Sequence, residues 1–218
     1  MKLTLQELTG LRQMIVETSN KVLNKYKLDN QNLLPNFDSI FIGDSMIEYF
    51  DLNKYLHELN AINRGIAGAT TKLIKDNLDT IFGPIEPKYI YISIGSNDLV
   101  LLNASVDEAY QNITELIEII NKKYPNALIN YLSTTPVVSI DHKLYKKIYI
   151  GGRTNGQLKA LNYKVSTYAT LNNINYLHMF DELLDEDKFL SSEFTMDGIH
   201  LNHQGYQIYS KIIQKYLK

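Results

Sequence analysis

FIGDSMIEYF, residues 41–50, is the stretch on which the reading of this chain turns. An apolar run, Ile40-Phe41-Ile42, stops at Gly43, and an acid and a serine follow. Beyond them the pattern becomes helix-like. At such a junction Ser45 fits three roles: a helix cap, a phosphate-loop residue or a nucleophile. The stretch alone does not choose among them.

The first strand-like run, 39–42, has four counterparts at 61–63, 89–94, 128–132 and 174–177. All are rich in Ile, Tyr and Leu and do not alternate with charge, as suits strands buried on both faces. Helical patterns lie between them. The clearest covers 106–124, with Ala109, Ile113, Leu116, Ile117 and Ile120 on one side and a capping box at Ser105 and Glu108. Others are expected over 157–171 and 204–217, the last burying Tyr206, Tyr209, Ile212, Ile213 and Tyr216. A further helix opens the chain. Thr4 and Glu7 have capping-box spacing there, and Leu8, Leu11, Ile15, Val22 and Tyr26 share a face.

Alternating strands and helices predict an α/β fold of three layers, α/β/α, around a five-stranded parallel sheet. A strand order of 2-1-3-4-5, flavodoxin-like, is a common solution, with ligands at the carboxyl ends of the strands near the switch point. Length fits one domain over 1–218: a helical extension at 1–34, then a core at 35–218.

The switch point gives Ser45 a test, because reactive residues should then follow other strands as well. They do. The second strand runs into NRGIAGATT, with Gly65 and Gly68; the third runs into GSND, with Asn97; the last loop, DGIHLN, carries Asp197 and His200. The topology brings these loops to one rim.

Each residue type there has a chemical reason. A serine hydroxyl is a weak nucleophile until a base takes its proton, and a neutral imidazole does this near neutral pH. A carboxylate on the other ring nitrogen fixes the tautomer, and Asp197 sits three residues before His200. The backbone N–H groups of Ser45 and Gly68 and the Asn97 amide can serve a developing oxyanion.

With these four blocks in this order, the chain resembles the SGNH (GDSL-type) hydrolases, in the branch of bacterial acylhydrolases and platelet-activating-factor acetylhydrolase catalytic subunits. The resemblance covers residues 39–218 and implies the roles just described for Ser45, Gly68, Asn97, Asp197 and His200. Met46 stands where leucine is usual, and Ala69 where many relatives carry aspartate. The implied activity is hydrolysis of small, short-chain acyl esters, with no cofactor and no metal. A sugar O-acetyl esterase or a thioesterase would use the same residues. A binding domain without catalysis is the reading of another class, disfavoured because no catalytic position is substituted.

Bulk properties narrow the partners. The net charge is −2, which gives no basic surface for nucleic acid. There is no cysteine, so thiolate catalysis and disulfides are excluded. No apolar run approaches the ~20 residues of a membrane span, and acids interrupt the N-terminal segment. A cytoplasmic protein without integral membrane association is expected; self-association as a homo-oligomer is left open.

Simpler roles compete at several positions. Ser45 alone reads as an N-cap, and Asp98 as structural. GIAG lacks both the dinucleotide and the Walker patterns. His203 reads as a solvated first-turn residue rather than a metal ligand beside Asp197 and His200. Residues 135–156 form a long connection, read either as a lid that sets acyl length or as a plain surface segment. Asp44, together with Tyr145, Tyr149 and Arg153 of that segment, are the candidate substrate-binding residues.

Overall fold

Runs of Ile, Tyr and Leu become strands here because helices cover them on both sides. The computed structural model describes residues 2–217. In chain order the elements are α1 (Leu5–Asp29), β1 (Ser39–Gly43), α2 (Ser45–Glu48), α3 (Leu52–Tyr55) and β2 (Ala61–Gly65). Then come α4 (Thr71–Asp76), α5 (Leu78–Phe82), β3 (Tyr89–Ser93), α6 (Asp98–Leu101) and α7 (Val106–Lys123). The chain continues through β4 (Leu128–Leu132), α8 (Lys147–Ile150), α9 (Asn155–Leu171), β5 (Asn175–Leu177) and α10 (His203–Gln214). The strands form one parallel sheet of order β2-β1-β3-β4-β5, the order expected from sequence.

Every residue of β1 is buried. Successive strand side chains point to opposite faces. On one face Phe41 stacks on Tyr91 at 4.3 Å and meets Phe50, which in turn contacts Tyr206 and Tyr209 of α10. The face carrying Ile40 and Ile42 belongs to the same continuous core. The α7 stripe is buried at the five positions read from its period. Both expected capping boxes form, at Thr4/Glu7 and Ser105/Glu108. A third, Thr154/Gln157, starts α9 two residues before the expected boundary.

Asp98, wholly buried at the start of α6, ties three helices together. Its carboxylate accepts hydrogen bonds from the N–H (3.0 Å) and hydroxyl of Thr71 in α4 and from Nδ2 of Asn112 in α7 (3.1 Å). Burial pushes its carboxyl up, and these donors oppose that. Its place fits the structural role read from the sequence. Asp98→Ala leaves buried donors unpaired, which costs about 2–4 kcal/mol. Urea unfolding should show that loss, and Asp98→Asn should lose less; an alanine variant as stable as the parent refutes the role.

Candidate active site

The cap question at Ser45 resolves one residue earlier. Asp44 is the N-cap of α2, its carboxylate accepting from the Met46 N–H at 3.0 Å. Ser45 is the first residue of the helix itself, and its hydroxyl is left for another partner. That partner is His200, whose Nε2 lies 3.1 Å from Ser45 Oγ across 155 residues of sequence. Nδ1 of the same ring lies 2.7 Å from Asp197 Oδ2. With the ring proton on Nδ1 toward the carboxylate, Nε2 is the acceptor facing the serine hydroxyl.

Asp197 is fixed by its own loop. Its Oδ1 accepts from the N–H groups of Ile199 (3.2 Å) and His200 (2.9 Å). Burial raises its carboxyl, but the hydrogen bonds from His200 and Ile199 and the imidazole charge outweigh it, holding the group below its ordinary value. Thr195, overlooked in the sequence, closes this loop by donating to the His200 carbonyl at 2.7 Å. The imidazole is flanked by two half-exposed tyrosines, Tyr49 and Tyr149, edge-on at 5.3 and 5.5 Å. Only Tyr149 was a candidate from sequence.

The loop after β2 turns tightly over Ile66–Ala69, with the Ala69 N–H bonded to the Ile66 carbonyl at 2.9 Å. Gly68 takes φ +77 there, and a side chain at that position would collide with Ile15 of α1. The Ala67 N–H donates to the Glu48 carboxylate, which anchors the turn on α2. Among the described residues, no protein acceptor takes the N–H of Ser45 or of Gly68. Asn97 is buried; its Nδ2 donates to the Ala69 carbonyl at 3.0 Å, and its Oδ1 accepts from Arg153 at 3.3 Å.

Three buried tyrosine hydroxyls hold the rim. Tyr206 donates to the Met46 carbonyl (3.0 Å), Tyr26 to that of Gly65 (2.7 Å) and Tyr131 to that of Ile94 (2.6 Å). Gly65 ends β2, Ile94 directly follows β3, and Met46 lies three residues past β1, in α2.

Ser45, His200, Tyr49, Tyr149, Gly68 and Asn97 line a cavity of about 290 Å³, at the small end of ligand sites. Its polar side holds Ser45, Asn97, Arg153 and His200. Its apolar wall includes Leu11, Met14, Ile15 and Val22 of α1, beside Met46, Ile66, Ile94, Leu101, Ile148 and Ile199 from other elements. The first helix, read from the sequence as an extension at 1–34, contributes to the cavity wall. Tyr145, a candidate from sequence, sits beside a turn in the long connection. Its N–H closes a turn on the His142 carbonyl, its ring packs against the core, and it does not line the cavity. Within the long connection Val137, Val138 and Ile150 are core, while Thr135, Ile148, Tyr149 and Arg153 reach the cavity. His203 opens α10, where its Nδ1 is 2.8 Å from the Tyr55 hydroxyl.

A sequence model of the GDSL-like Lipase/Acylhydrolase family matches residues 38–208. Among curated proteins, an N-acylneuraminate cytidylyltransferase of Escherichia coli O18:K1:H7 is 25% identical over 194 residues, covering 84% of this chain and 42% of the relative. The chain thus spans less than half the length of that curated relative. Among solved structures, "a putative platelet activating factor from Streptococcus pneumonia" superposes with a TM-score of 0.87 at 29% identity, over 99% of this chain and 100% of that one. A GDSL-like lipase from Bacteroides thetaiotaomicron VPI-5482 superposes at 0.72 with 20% identity, over 89% and 96% of the two chains, and shows the same fold.

Asp44 has a measurable consequence for stability. Burial pushes its carboxyl up to about 6, against the Met46 N–H and the charges of Arg153 and His200. The folded chain therefore keeps this proton at pH values where the unfolded chain has lost it. Stability from this group falls as pH rises from about 4 to about 6, by on the order of 2–3 kcal/mol. Asp44→Asn keeps an acceptor for Met46 and cannot ionise. Relative to the parent, it should gain that amount between pH 4 and pH 8 in urea unfolding. A stability difference that stays constant with pH contradicts the buried, raised carboxyl.

Proposed function

The chain belongs to the GDSL-like lipase/acylhydrolase family, whose activity is ester hydrolysis, and from that membership we propose a serine esterase with Ser45 as nucleophile, His200 as general base and acid, and Asp197 as its partner. One observation carries the reading: the continuous contact from Asp197 Oδ2 through the imidazole to Ser45 Oγ.

In the first half-reaction, Ser45 Oγ attacks the acyl carbonyl while His200 Nε2 takes its proton. Asp197 stabilises the imidazolium that forms. The carbonyl oxygen becomes an oxyanion, met by the free N–H groups of Ser45 and Gly68 and by the second N–H of the Asn97 amide. The ester C–O bond then breaks, and the Nε2 proton passes to the leaving alkoxide. Water repeats the sequence on the acyl-enzyme and frees the acid.

A fluorophosphonate should label the protein once, and Ser45→Ala should abolish both labelling and turnover of p-nitrophenyl acetate while the protein stays folded. Labelling at another residue, or turnover in the alanine variant, refutes the assignment.

The small cavity favours short acyl chains, acetyl to butyryl. The acyl group fits against α1, beside Gly68 and Ile15, with Ile148 and Tyr149 of the long connection on the same cavity. Each further methylene gains about 0.8 kcal/mol, roughly fourfold in rate, only where it can be buried. Ile15→Ala should therefore shift the optimum of kcat/KM to longer acyl chains by two or more carbons across a p-nitrophenyl ester series. An unchanged profile removes α1 from specificity. A steady rise to twelve carbons in the parent refutes the short-chain reading.

An O-acetylated sugar is the second reading. The curated relative is named for N-acylneuraminate, an acylated sugar acid. Acetate release from O-acetylated sugars, measured beside p-nitrophenyl acetate, separates the two.

A further inference from the structure

Arg153 is a buried cation in the cavity wall that the reaction above does not use. Only 7% of it is exposed, and no carboxylate forms an ion pair with it among the described residues. Its cost in desolvation is offset by the charge of Asp44 and by hydrogen bonds, and these bonds have a pattern. Nε donates to the Ile150 carbonyl (2.9 Å) and Nη1 to Ser96 Oγ (2.7 Å). Nη2 donates to both Asn97 Oδ1 and the Tyr149 carbonyl, each at 3.3 Å. A guanidinium has five N–H donors, so this one has little left for a two-pronged grip on a substrate anion.

We propose that Arg153 is a positioning residue for the oxyanion site, fixing and polarising the Asn97 amide so that its free N–H faces the reacting carbonyl. This deepens the esterase reading and rests on it.

The amide has two ends that could exchange places. A donor-only guanidinium on one side and the Ala69 carbonyl on the other leave one orientation, with Oδ1 toward Arg153 and Nδ2 toward Ala69. One amide hydrogen is then committed to Ala69 and the other is free for the cavity. The positive charge behind Oδ1 draws electron density from the amide and strengthens that remaining donor. It also sets a fixed charge beside a site where negative charge develops, in surroundings of low dielectric.

The backbone is built to deliver this side chain. Gly151 ends α8 at φ +64 and Gly152 follows at φ +83, two successive left-handed residues. Side chains there would strike Val100 and the Lys2 backbone. The reversal brings Arg153 inward beneath Tyr149. The segment is itself anchored from outside, because Lys147 pairs with Glu7 of α1 at 2.6 Å. The long connection thus serves as a buttress of the oxyanion site.

The test compares kcat and KM for p-nitrophenyl acetate in the parent, Arg153→Met, Arg153→Lys, Asn97→Ala and the Asn97→Ala/Arg153→Met double variant, with thermal unfolding as the folding control. Arg153→Met should lower kcat about 10- to 100-fold with KM changed less than about twofold. Lysine, a point charge that cannot hold Ser96 and Asn97 together, should fall between the methionine variant and the parent. In the Asn97→Ala background the methionine change should cost less than about threefold, because its route of action is gone. If Arg153→Met does not fold, Arg153→Lys, alone and with Asn97→Ala, decides by the same kcat loss and non-additivity. Parental kcat in the folded variant, a raised KM with intact kcat, or full additivity with Asn97→Ala overturns the inference. An inactive parent, or full activity in Ser45→Ala, overturns the esterase reading and this inference with it. A parental esterase indifferent to Arg153 overturns the inference alone.

Discussion

The site depends on a register. β1 pairs on both sides at once, with Gly43 opposite Gly65 of β2 and opposite Ser93 of β3. Three strands therefore end at one level, and three loops leave the sheet side by side. A slip along the ladder would carry Ser45, Gly68 and Asn97 to different heights and exchange the side chains that pack against the helices on the two faces. Burial of every β1 residue is what specifies the register. The tyrosine hydroxyls then pin one main-chain carbonyl at or just past the end of each of those strands, so the loops inherit the sheet's stiffness.

Within that frame, polar atoms are committed one by one. Asp44 is occupied with the Met46 N–H, which leaves the Ser45 hydroxyl to the imidazole. Asp197 spends one oxygen on its own turn and the other on the ring. Asn97 is held at both ends of its amide. Buried polar groups are ordinarily satisfied. The N–H groups of Ser45 and Gly68, partly exposed at the cavity, have no protein acceptor among the described residues, and in the proposed reaction they meet the oxyanion. Arranging such donors ahead of time spares the reorganisation that water would need during the reaction.

Much of this was legible in the sequence because two signals there are local. Strands buried on both faces must be apolar throughout, so five runs of Ile, Tyr and Leu announced themselves. The α7 stripe and two capping boxes are short-range patterns with fixed spacing. The candidate residues Ser45, Gly68, Asn97, Asp197 and His200 could be read as one group because their loops follow strand ends whose order the topology constrains. The rest depends on tertiary placement. α1 shows an amphipathic face, but nothing in that face says it covers Gly68. Helices as short as α2, α6 and α8 have too few turns to display a period. Tyr145 and Tyr149 look alike in sequence; a turn at His142 sends one to the core and leaves the other beside His200. The Thr154/Gln157 box was visible and would have placed the start of α9 correctly.

The edge of the sheet carries a further consequence. β2 is an outer strand, and its Arg64 is almost wholly buried. The guanidinium lies 4.5 Å over the Tyr26 ring and donates to Asn30 Oδ1 at 2.8 Å, so its partners come from α1 and its C-cap. Open strand edges invite foreign strands, and an inward charge is one of the ways proteins discourage them. Any aggregate that recruits β2 while stripping α1 away must bury that cation without its partners. The helix that contributes to the cavity wall thereby also supplies the partners of the inward charge at this sheet edge.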